Sequence, residues 1–327
     1  MPTFRRLLRP LALTLPLLGL ASSGCAADAK GDLGAVEPKT HSFITFGAQT
    51  AIHTFTPGGN PDGTVTWKYP LGTREGWVLP SGNILLAIGA GQAGYPGGGV
   101  VEVTRENKTV WEYKGTQKEV ACAQKTPDGT YVLAESGPNP RLLEIDAKGT
   151  VLANIPLACQ KGNAHMQTRM ARKAADGTYW VPHLLDFAVK QYNAKGEVIS
   201  SVDTTAENDP QHAQHTWPFT AVVLPNGHLL CGLTHGNRVT EFDAKGQKVW
   251  EVTNADVGGI IKDACAVQRL PNGNTVVTSY AAGAGEVSLW EVTPQKRVVW
   301  TWKGHGHVHS FQILDTDGKP LPGAPMK

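Results

Sequence analysis

Apolar strands separated by short glycine-containing turns recur along most of the chain. Five such turns end at Gly82, Gly129, Gly177, Gly227 and Gly273, at intervals of 47, 48, 50 and 46 residues. The Asp-Gly and Asn-Gly pairs in these turns favour β-hairpins, because both central positions of such a turn need a positive φ. A β-rich run follows each turn. The pattern therefore predicts a repeat that begins with a hairpin.

A second hairpin follows in the same repeat. Its turn is Ala147-Lys148-Gly149 in the second unit, Ala194-Lys195-Gly196 in the third and Ala244-Lys245-Gly246 in the fourth. Residues 105–108 and 294–296 take the same place in the first and fifth units. Two hairpins give four strands per unit, and four strands at this period are typical of a β-propeller blade.

The two ends of the sequence supply one further blade. His309–Leu314 resembles an inner strand, whereas the runs Phe43–Phe46, Ile52–Thr56 and Thr64–Tyr69 resemble three outer strands that lack an inner one. Joining them closes the ring and removes sheet edges that would invite aggregation. The sequence thus predicts an all-β, six-bladed propeller of four-stranded blades over residues 41–320. It is closed by pairing of the N- and C-terminal segments, and residues 321–327 form a tail.

Four tryptophans occupy one equivalent position in the outermost strands, namely Trp67, Trp111, Trp250 and Trp300. Repetition at an equivalent position favours packing between blades over a role as ligand platforms.

The repeats resemble those of the PQQ-like and arylsulfotransferase-like propellers. The similar units are LPNGNTVVTSY with LWEVTPQKRVVWTW, and LPNGHLLCGLTHGNRVTEFDAKGQKVWEV, and the resemblance covers nearly all of residues 41–318. It rests on turn and packing residues, so it implies a fold rather than an activity. True PQQ enzymes carry eight blades and a fuller tryptophan-docking repeat, so PQQ is not expected here. Arylsulfate sulfotransferases are six-bladed and pass sulfate through a catalytic histidine in the central funnel, but no stretch matches their active-site motif.

Residues 1–27 have the features of an export signal. Three arginines precede the apolar run Leu11–Ala21, which is too short to span a bilayer as a helix, and small residues follow it. Gly24-Cys25 resembles the end of a bacterial lipoprotein signal, which makes Cys25 a candidate for lipidation; ordinary cleavage a few residues later is the alternative. Residues 28–40 are then a linker, and the protein is expected in the periplasm, in the cell envelope or outside the cell.

Charge narrows the range of partners. The 30 basic and 28 acidic residues give a formal net charge of +2, and loss of the three leader arginines leaves 27 against 28, a net of −1. Such a chain fits neither nucleic acid nor a polybasic membrane surface. The expected partners are a small molecule, a glycan or an envelope protein, and a lipid anchor is the one expected membrane contact. The protein is expected to be a monomer.

Histidines collect on one face of the predicted propeller. Loops that enter the inner strands and loops that join second to third strands share that face, and eight of the 11 histidines belong to them. Neutral imidazole is a metal ligand, proton carrier or nucleophile near pH 7. Arginine can form two parallel hydrogen bonds to a carboxylate or sulfate. The candidate funnel residues are His165, His183, His215, His235, His307, His309, Arg169, Arg238 and Trp217, the last as a platform for a sugar ring. The same face is predicted to carry Arg74, Lys262, Glu75, Glu119, Asp186 and Asp263. Loop hydrogen bonds, packing and inter-blade ion pairs are the alternatives.

A metal site is predicted within this group. His305, His307 and His309 alternate, so on a strand their side chains would point to one side, close enough for two imidazoles to share a metal. These three histidines are the candidate ligands of a single divalent metal, and a simple flexible loop is the alternative.

Four cysteines follow the leader: Cys122, Cys159, Cys231 and Cys265. An even number in an oxidising compartment permits two disulfides, in three pairings. Members of each pair Cys122–Cys159 and Cys231–Cys265 come from neighbouring blades on one face, which predicts these two disulfides. Four buried thiols are the alternative.

Several enzyme classes find no support, because no Gly-x-Ser-x-Gly elbow, P-loop, His-Glu-x-x-His or EF-hand occurs in the sequence. The leading hypothesis is an exported propeller that binds a ligand or partner at its His-rich funnel face. One alternative is an enzyme that uses the same funnel, by histidine-mediated sulfuryl transfer or by metal-assisted elimination or hydrolysis of an anionic saccharide. Another is a structural or assembly role.

Overall fold

Six antiparallel sheets, each with four strand positions, are arranged as the blades of a propeller. The computed structural model describes residues 41–60, 63–160, 162–205, 216–322 and 327. The all-β, six-bladed architecture predicted from the repeat is confirmed. In the described residues the helical elements are two 3₁₀ turns, at Ala164–Met166 and Leu184–Asp186.

The described residues begin with β1 (Ser42–Gly47), β2 (Thr50–Thr54) and β3 (Thr64–Tyr69). Blade 1 contains β4 (Thr73–Val78), β5 (Ile84–Ile88), β6 (Gly99–Val103) and β7 (Thr109–Lys114). Blade 2 contains β8 (Glu119–Lys125), β9 (Tyr131–Ser136), β10 (Arg141–Ile145) and β11 (Val151–Pro156). Blade 3 contains β12 (Arg172–Lys173), β13 (Tyr179–His183), β14 (Ala188–Tyr192) and β15 (Val198–Asp203). Blade 4 contains β16 (Thr216–Pro218), β17 (Val222–Val223), β18 (Leu229–His235), β19 (Arg238–Phe242) and β20 (Lys248–Thr253). Blade 5 contains β21 (Ala264–Arg269), β22 (Thr275–Ser279), β23 (Leu289–Val292) and β24 (Val298–Trp302). β25 (Val308–Leu314) joins β1, β2 and β3 in blade 6.

Blade 6 is built from two distant parts of the chain. Its inner strand β25 pairs antiparallel with β1, so that Ser42 lies opposite Leu314 and Phe46 lies opposite Ser310. β1 then pairs with β2, and β2 with β3. The predicted closure by the N- and C-terminal segments is confirmed.

Glycine turns occur where the repeat places them. Gly129 (φ 83°) and Gly227 (φ 79°) adopt the left-handed conformation that these hairpins require. The inner strand of blade 4 departs from the repeat, because it is split into β16 and β17, both of which pair with β18. Pro218 ends β16 and has no N–H with which to continue the ladder.

The hydrophobic core lies in the seams between neighbouring blades. Ile44 and Ile52 of blade 6, for example, pack with Val78 and Leu86 of blade 1, and all four are buried. Apolar burial of this kind is the main favourable contribution to folding. Each blade is therefore stabilised chiefly by its neighbours in the ring.

Outer-strand tryptophans reinforce these seams. The rings of Trp111 in blade 1 and Tyr131 in blade 2 stack with centroids 3.7 Å apart. Trp300 in blade 5 meets Phe43 in blade 6 edge-on, with centroids 5.8 Å apart. The packing predicted from their equivalent positions is confirmed.

Buried carboxylates also join successive blades. A glutamate in the third strand of a blade bonds to a cation at the end of the next inner strand in the pairs Glu102–Lys125 (2.6 Å), Glu144–Lys173 (2.8 Å) and Glu241–Arg269 (2.7 Å). Burial alone would raise the pKa of each glutamate, but hydrogen bonds and the paired cation outweigh it and hold each pKa below its usual value. These pairs therefore hold neighbouring blades together.

The prediction of two disulfides is wrong. The structure has free thiols at Cys122, Cys159, Cys231 and Cys265. Cys231 packs into the core between blades 3 and 4. Cys265 Sγ lies 3.9 Å from Thr234 Oγ1, and residues 231 and 234 of a strand point to opposite faces. Cys122 and Cys159 contact the same apolar cluster without a bond between them. Burial, followed by the charge of Asp186, raises the pKa of Cys159 to about 12.

Several predictions concern residues outside the described ranges. These are the export signal at 1–27 with Cys25, the linker at 28–40, His215 and most of the tail at 321–327. Within the described part of the chain, no helix is both long and apolar enough to cross a membrane.

Candidate functional site

Inner strands and the loops before them bring charged residues to one mouth of the central channel. Arg74 belongs to β4, Glu119 begins β8 and His309 lies in β25. His165 lies in the first 3₁₀ turn, and Arg169 follows it just before β12. Four blades thus contribute to one cluster, which we call the mouth cluster: Arg74, Glu119, His165, Arg169 and His309.

His309 is held in one tautomer by an arginine. Arg74 Nη1 donates to His309 Nε2 over 3.0 Å, since a guanidinium has no acceptor to offer. The proton of the neutral ring is therefore on Nδ1. Burial, reinforced by the charges of Arg74 and Arg169, lowers the pKa of His309 well below its usual value. This side chain is a neutral hydrogen-bond donor at the channel wall.

Glu119 is the carboxylate at the centre of the cluster. Its Oε2 accepts a hydrogen bond of 3.0 Å from His165 Nδ1, and its Oε1 lies 3.2 Å from Arg74 Nε and 3.8 Å from Arg169 Nη1. Burial raises the pKa of Glu119, but the His165 bond and the two arginine charges outweigh it and hold the pKa at about 2. Glu119 is therefore ionised at neutral pH.

Arg169 is nearly inaccessible to solvent, at 3% exposure. Its Nη1 donates to the Thr168 carbonyl over 2.7 Å, and its Nη2 donates to the His165 carbonyl. The guanidinium carbon lies 5.6 Å from the centre of the Phe219 ring. Burial lowers the pKa of Arg169, with Glu119 opposing the effect. The fold thus keeps a positive charge beneath the mouth, facing one carboxylate.

The mouth cluster contains buried polar atoms without a hydrogen-bond partner. Among the described residues these are Arg169 Nε and His309 Nδ1, whereas Arg74 Nε and Glu119 Oε1 face each other across 3.2 Å as an ion pair without hydrogen-bond geometry. Unpartnered buried atoms are rare in folded proteins and usually bond to water, an ion or a ligand. Arg169 Nε and His309 Nδ1 are both donors, so the cluster offers more donors than it uses.

An open groove of about 1050 Å³ runs from the cluster toward the rim between blades 2 and 3. It is lined near the channel by Glu119 and His165, and at the outer strand β11 by Asn154 and Pro156. His165 is half exposed, at 48% of its side chain, and lines this groove. A molecule larger than a simple ion would fit along this groove.

Other predicted funnel residues have partners away from the mouth. His183 Nε2 bonds to Tyr192 Oη over 2.9 Å, and burial lowers the pKa of His183 to about 4. Trp217 stacks on His235 with ring centroids 4.4 Å apart. Arg238 donates to the Gly236 carbonyl over 3.2 Å and lines a separate groove of about 800 Å³ on blade 4. These residues lie beside other loops of the same face.

The three histidines predicted to bind metal do not converge. His307 has a left-handed backbone (φ 59°) and precedes β25, so the strand alternation that would align the three side chains begins only afterwards. The His305 ring meets Trp302 edge-on, with centroids 5.5 Å apart, whereas His309 bonds to Arg74. In the described ranges, no group of three or more His, Cys, Asp or Glu side chains is placed to hold a metal ion.

Two aromatic residues of the site were not anticipated from the sequence. Tyr280 lies 4.4 Å from His309 and 5.2 Å from His307 between ring centroids, and Phe219 lies 6.2 Å from His309. Tyr280 directly follows β22, the second strand of its blade. His183 lies six residues after Gly177, His235 eight after Gly227 and Tyr280 seven after Gly273, so the repeat spacing does not align Tyr280 with either histidine.

Comparison with known proteins shows the fold and no narrower family. No family model matches the chain, and no curated protein matches it. Among solved structures, a protein of unknown function from Bacteroides caccae is 20% identical with a TM-score of 0.70, covering 85% of this chain and 100% of its own. A catalytically inactive histidine-to-alanine variant of virginiamycin B lyase from Staphylococcus aureus, solved with quinupristin, is 14% identical with a TM-score of 0.53, covering 81% and 85%. The WD40 propeller domain of Doa1 is 12% identical with a TM-score of 0.52, covering 85% and 88%. The fold-level resemblance to propeller repeat proteins is confirmed.

Proposed function

We propose that this protein binds a small anionic molecule at the mouth cluster. The observation that carries the proposal is the pair of unpartnered buried donors, Arg169 Nε and His309 Nδ1, beside two guanidinium groups that share a single carboxylate. Two guanidinium groups face one ionised glutamate, so the cluster holds an excess positive charge. A carboxylate, sulfate or phosphate supplies the missing acceptors.

The groove indicates how large the ligand is. Its lining includes Pro138, Pro140 and Leu157 together with the amides of Asn139 and Asn154. Such a mixed apolar and amide surface suits the uncharged part of an organic acid, with its anionic group at the cluster. An acidic saccharide and an aromatic acid both satisfy this description. We also propose that the protein acts after export, as its leader sequence indicates.

Binding to a panel of anions tests the proposal. Citrate, glucuronate, benzoate, sulfate and phosphate are titrated calorimetrically at low and high salt, because ionic contacts weaken with salt. We expect at least one anion to bind and Arg74→Met to weaken it about ten- to hundred-fold, the usual value of a charged hydrogen bond. The matched control is Arg297→Met, since Arg297 is exposed and lies in the turn before β24. No binding by any anion, or equal affinity of Arg74→Met and the control, would contradict the proposal.

Acid–base catalysis on the bound anion is the second candidate function. It rests on the His165–Glu119 pair, in which an ionised carboxylate accepts a bond from Nδ1 of a half-exposed imidazole. A histidine oriented by a carboxylate is a common general base. This arrangement also suits the elimination or hydrolysis of an anionic saccharide.

A matched histidine separates catalysis from binding. His228 bonds to Glu241 through Nδ1 over 2.7 Å, in the same manner, but lies beside a glycine turn on the opposite face. Anions that bind are incubated with the protein, and products are sought by mass spectrometry. We expect turnover to disappear in His165→Ala and to persist in His228→Ala. Turnover that survives His165→Ala would exclude this candidate while leaving the binding proposal intact.

A further inference from the structure

A second charged layer lies deeper in the channel than the mouth cluster. Arg172 follows Arg169 by three residues on the inner side of blade 3, which is about 10 Å along an extended chain. It pairs with the fully buried Glu75 of β4 through both terminal guanidinium nitrogens. Glu75 Oε2 also accepts a bond of 3.2 Å from the Ala123 N–H of β8. Blades 1, 2 and 3 are thereby joined across the channel.

The side chain of Lys327 is bound in this layer. It is 3% exposed, and its Nζ donates to the Gly76 carbonyl over 2.7 Å. The same nitrogen lies 4.1 Å from the centre of the Trp77 ring and 5.4 Å from that of Phe46. The main-chain oxygen of Lys327 accepts a bond of 2.7 Å from Arg172 Nε. Both ends of this residue are thus held by the channel wall.

The residues around the Lys327 amine are themselves held in place by a hydrogen bond and by close packing. Trp77 is fixed in place because its Nε1 donates to the Ala123 carbonyl over 2.5 Å. A Cβ at position 76 would lie 2.4 Å from Phe46 Cε1, so glycine is needed there for the Phe46 ring to come close. A carbonyl oxygen, the faces of two aromatic rings and a nearby carboxylate are the groups that recognise an amine. We call this set, Gly76, Trp77, Phe46, Glu75 and Arg172, the axial site.

We propose that the axial site is a binding site for a primary alkylamine, which the chain fills with the side chain of Lys327. Burial, opposed by the charge of Glu75 and reinforced by that of Arg172, lowers the pKa of the Lys327 amine to about 7. This inference does not depend on the mouth cluster, whose ligand is an anion.

Replacement of the occupant by a free amine tests the inference. Lys327→Ala removes the atoms from Cγ to Nζ, and n-propylamine replaces them. We expect Lys327→Ala to be less stable than the wild type and to regain stability with n-propylamine, saturably. The unfolding equilibrium constant should fall about eleven-fold when the amine is at ten times its dissociation constant. The wild type, whose site is filled, should not respond. The isosteric n-propanol should stabilise Lys327→Ala less than the amine.

Two controls keep the result interpretable. Lys319→Ala removes an exposed lysine nearby in sequence and should neither lose stability nor respond to the amine. If Lys327→Ala does not fold, acetic anhydride labelling of the native wild type gives the second measurement. We expect Lys327 to be acetylated far more slowly than Lys319. Equal labelling of the two lysines, or equal stabilisation of Lys327→Ala by n-propylamine and n-propanol, would overturn the inference.

Discussion

Arg74 and His309, which are 235 residues apart in sequence, meet at the channel mouth through a bond of 3.0 Å from Nη1 to Nε2. The contact joins blade 1 to the inner strand of blade 6. It fixes the ring proton of His309 on Nδ1, so that this atom and the arginine nitrogens offer donors to the same small volume. The contact therefore sets which ring nitrogen of His309 can donate to a ligand.

The tautomer of His309 can be measured directly. Nitrogen-15 NMR of the wild type should show a neutral ring protonated on Nδ1 from pH 8 down to about pH 5.5, because burial and two arginines keep its pKa well below the usual value. Arg74→Met removes the bond that selects this tautomer. An imidazolium signal from His309 at about pH 6, or a wild-type proton on Nε2, would contradict the prediction.

Glu119 should matter far more for stability than an exposed glutamate in an ion pair. Glu119→Gln leaves the buried Arg169 without its counter-ion, a loss that typically costs about 3–5 kcal/mol. Glu286 pairs with Lys262 at the surface, where solvent screens the interaction, so Glu286→Gln should have no measurable effect. Urea denaturation at pH 7 compares the two variants. Equal midpoints would show that the charge balance of the mouth cluster does not contribute to folding.

His53 should make the protein sensitive to moderate acid. Burial, then the charges of His305 and Lys68, lowers the pKa of His53 to about 4 in the native state. Between pH 6.5 and 4, His53 is protonated in the unfolded chain but remains neutral in the native state. The free energy of unfolding therefore decreases as the pH is lowered, and His53 contributes up to about 3 kcal/mol to this decrease.

His53→Phe removes this titration and keeps the ring that stacks on Phe43, where the centroids are 4.9 Å apart. Unfolding free energies at pH 7 and pH 4.5 should differ less in the variant than in the wild type. An unchanged difference would place the acid sensitivity at other residues.

Thiol chemistry checks the correction of the disulfides. Under non-reducing denaturing conditions all four cysteines should react with a thiol reagent. In the native protein Cys122, Cys231 and Cys265 should be protected by burial, and Cys159 should react slowly at pH 8, because its pKa is about 12. Recovery of only two reactive thiols after denaturation would restore one of the predicted disulfides.

The repeat carried enough information to predict the architecture. Gly82, Gly129 and their equivalents identify hairpins through local backbone preference alone, and the count of units follows from their spacing. The particular ion pairs of Glu102, Glu144 and Glu241 were not predicted, although these glutamates occupy equivalent places in the repeat. Their partners belong to the next blade, and that relationship depends on how the blades pack.

For the candidate site, the sequence predicted some of the residues that meet and grouped others that do not. His165, Arg169 and His309 were predicted together and do meet, because inner strands converge on the channel. His305 and His307 were grouped with His309 by an alternation that the left-handed backbone of His307 interrupts. The predicted Cys231–Cys265 disulfide was wrong for a related reason. Two residues on neighbouring strands can lie at the same level of the sheet while their side chains face opposite sides of it.

The pairing that completes blade 6 also determines how the ring responds to tension. Ser42 lies opposite Leu314, at the end of the ladder from which both strands leave the sheet. A force that pulls these two residues apart loads the β1–β25 hydrogen bonds one after another, as in a zipper, rather than all at once in shear. The β1–β25 ladder is therefore expected to open at low force when it is pulled at Ser42 and Leu314. Pulled between residues in two middle blades, the ring resists through whole seams of packed side chains.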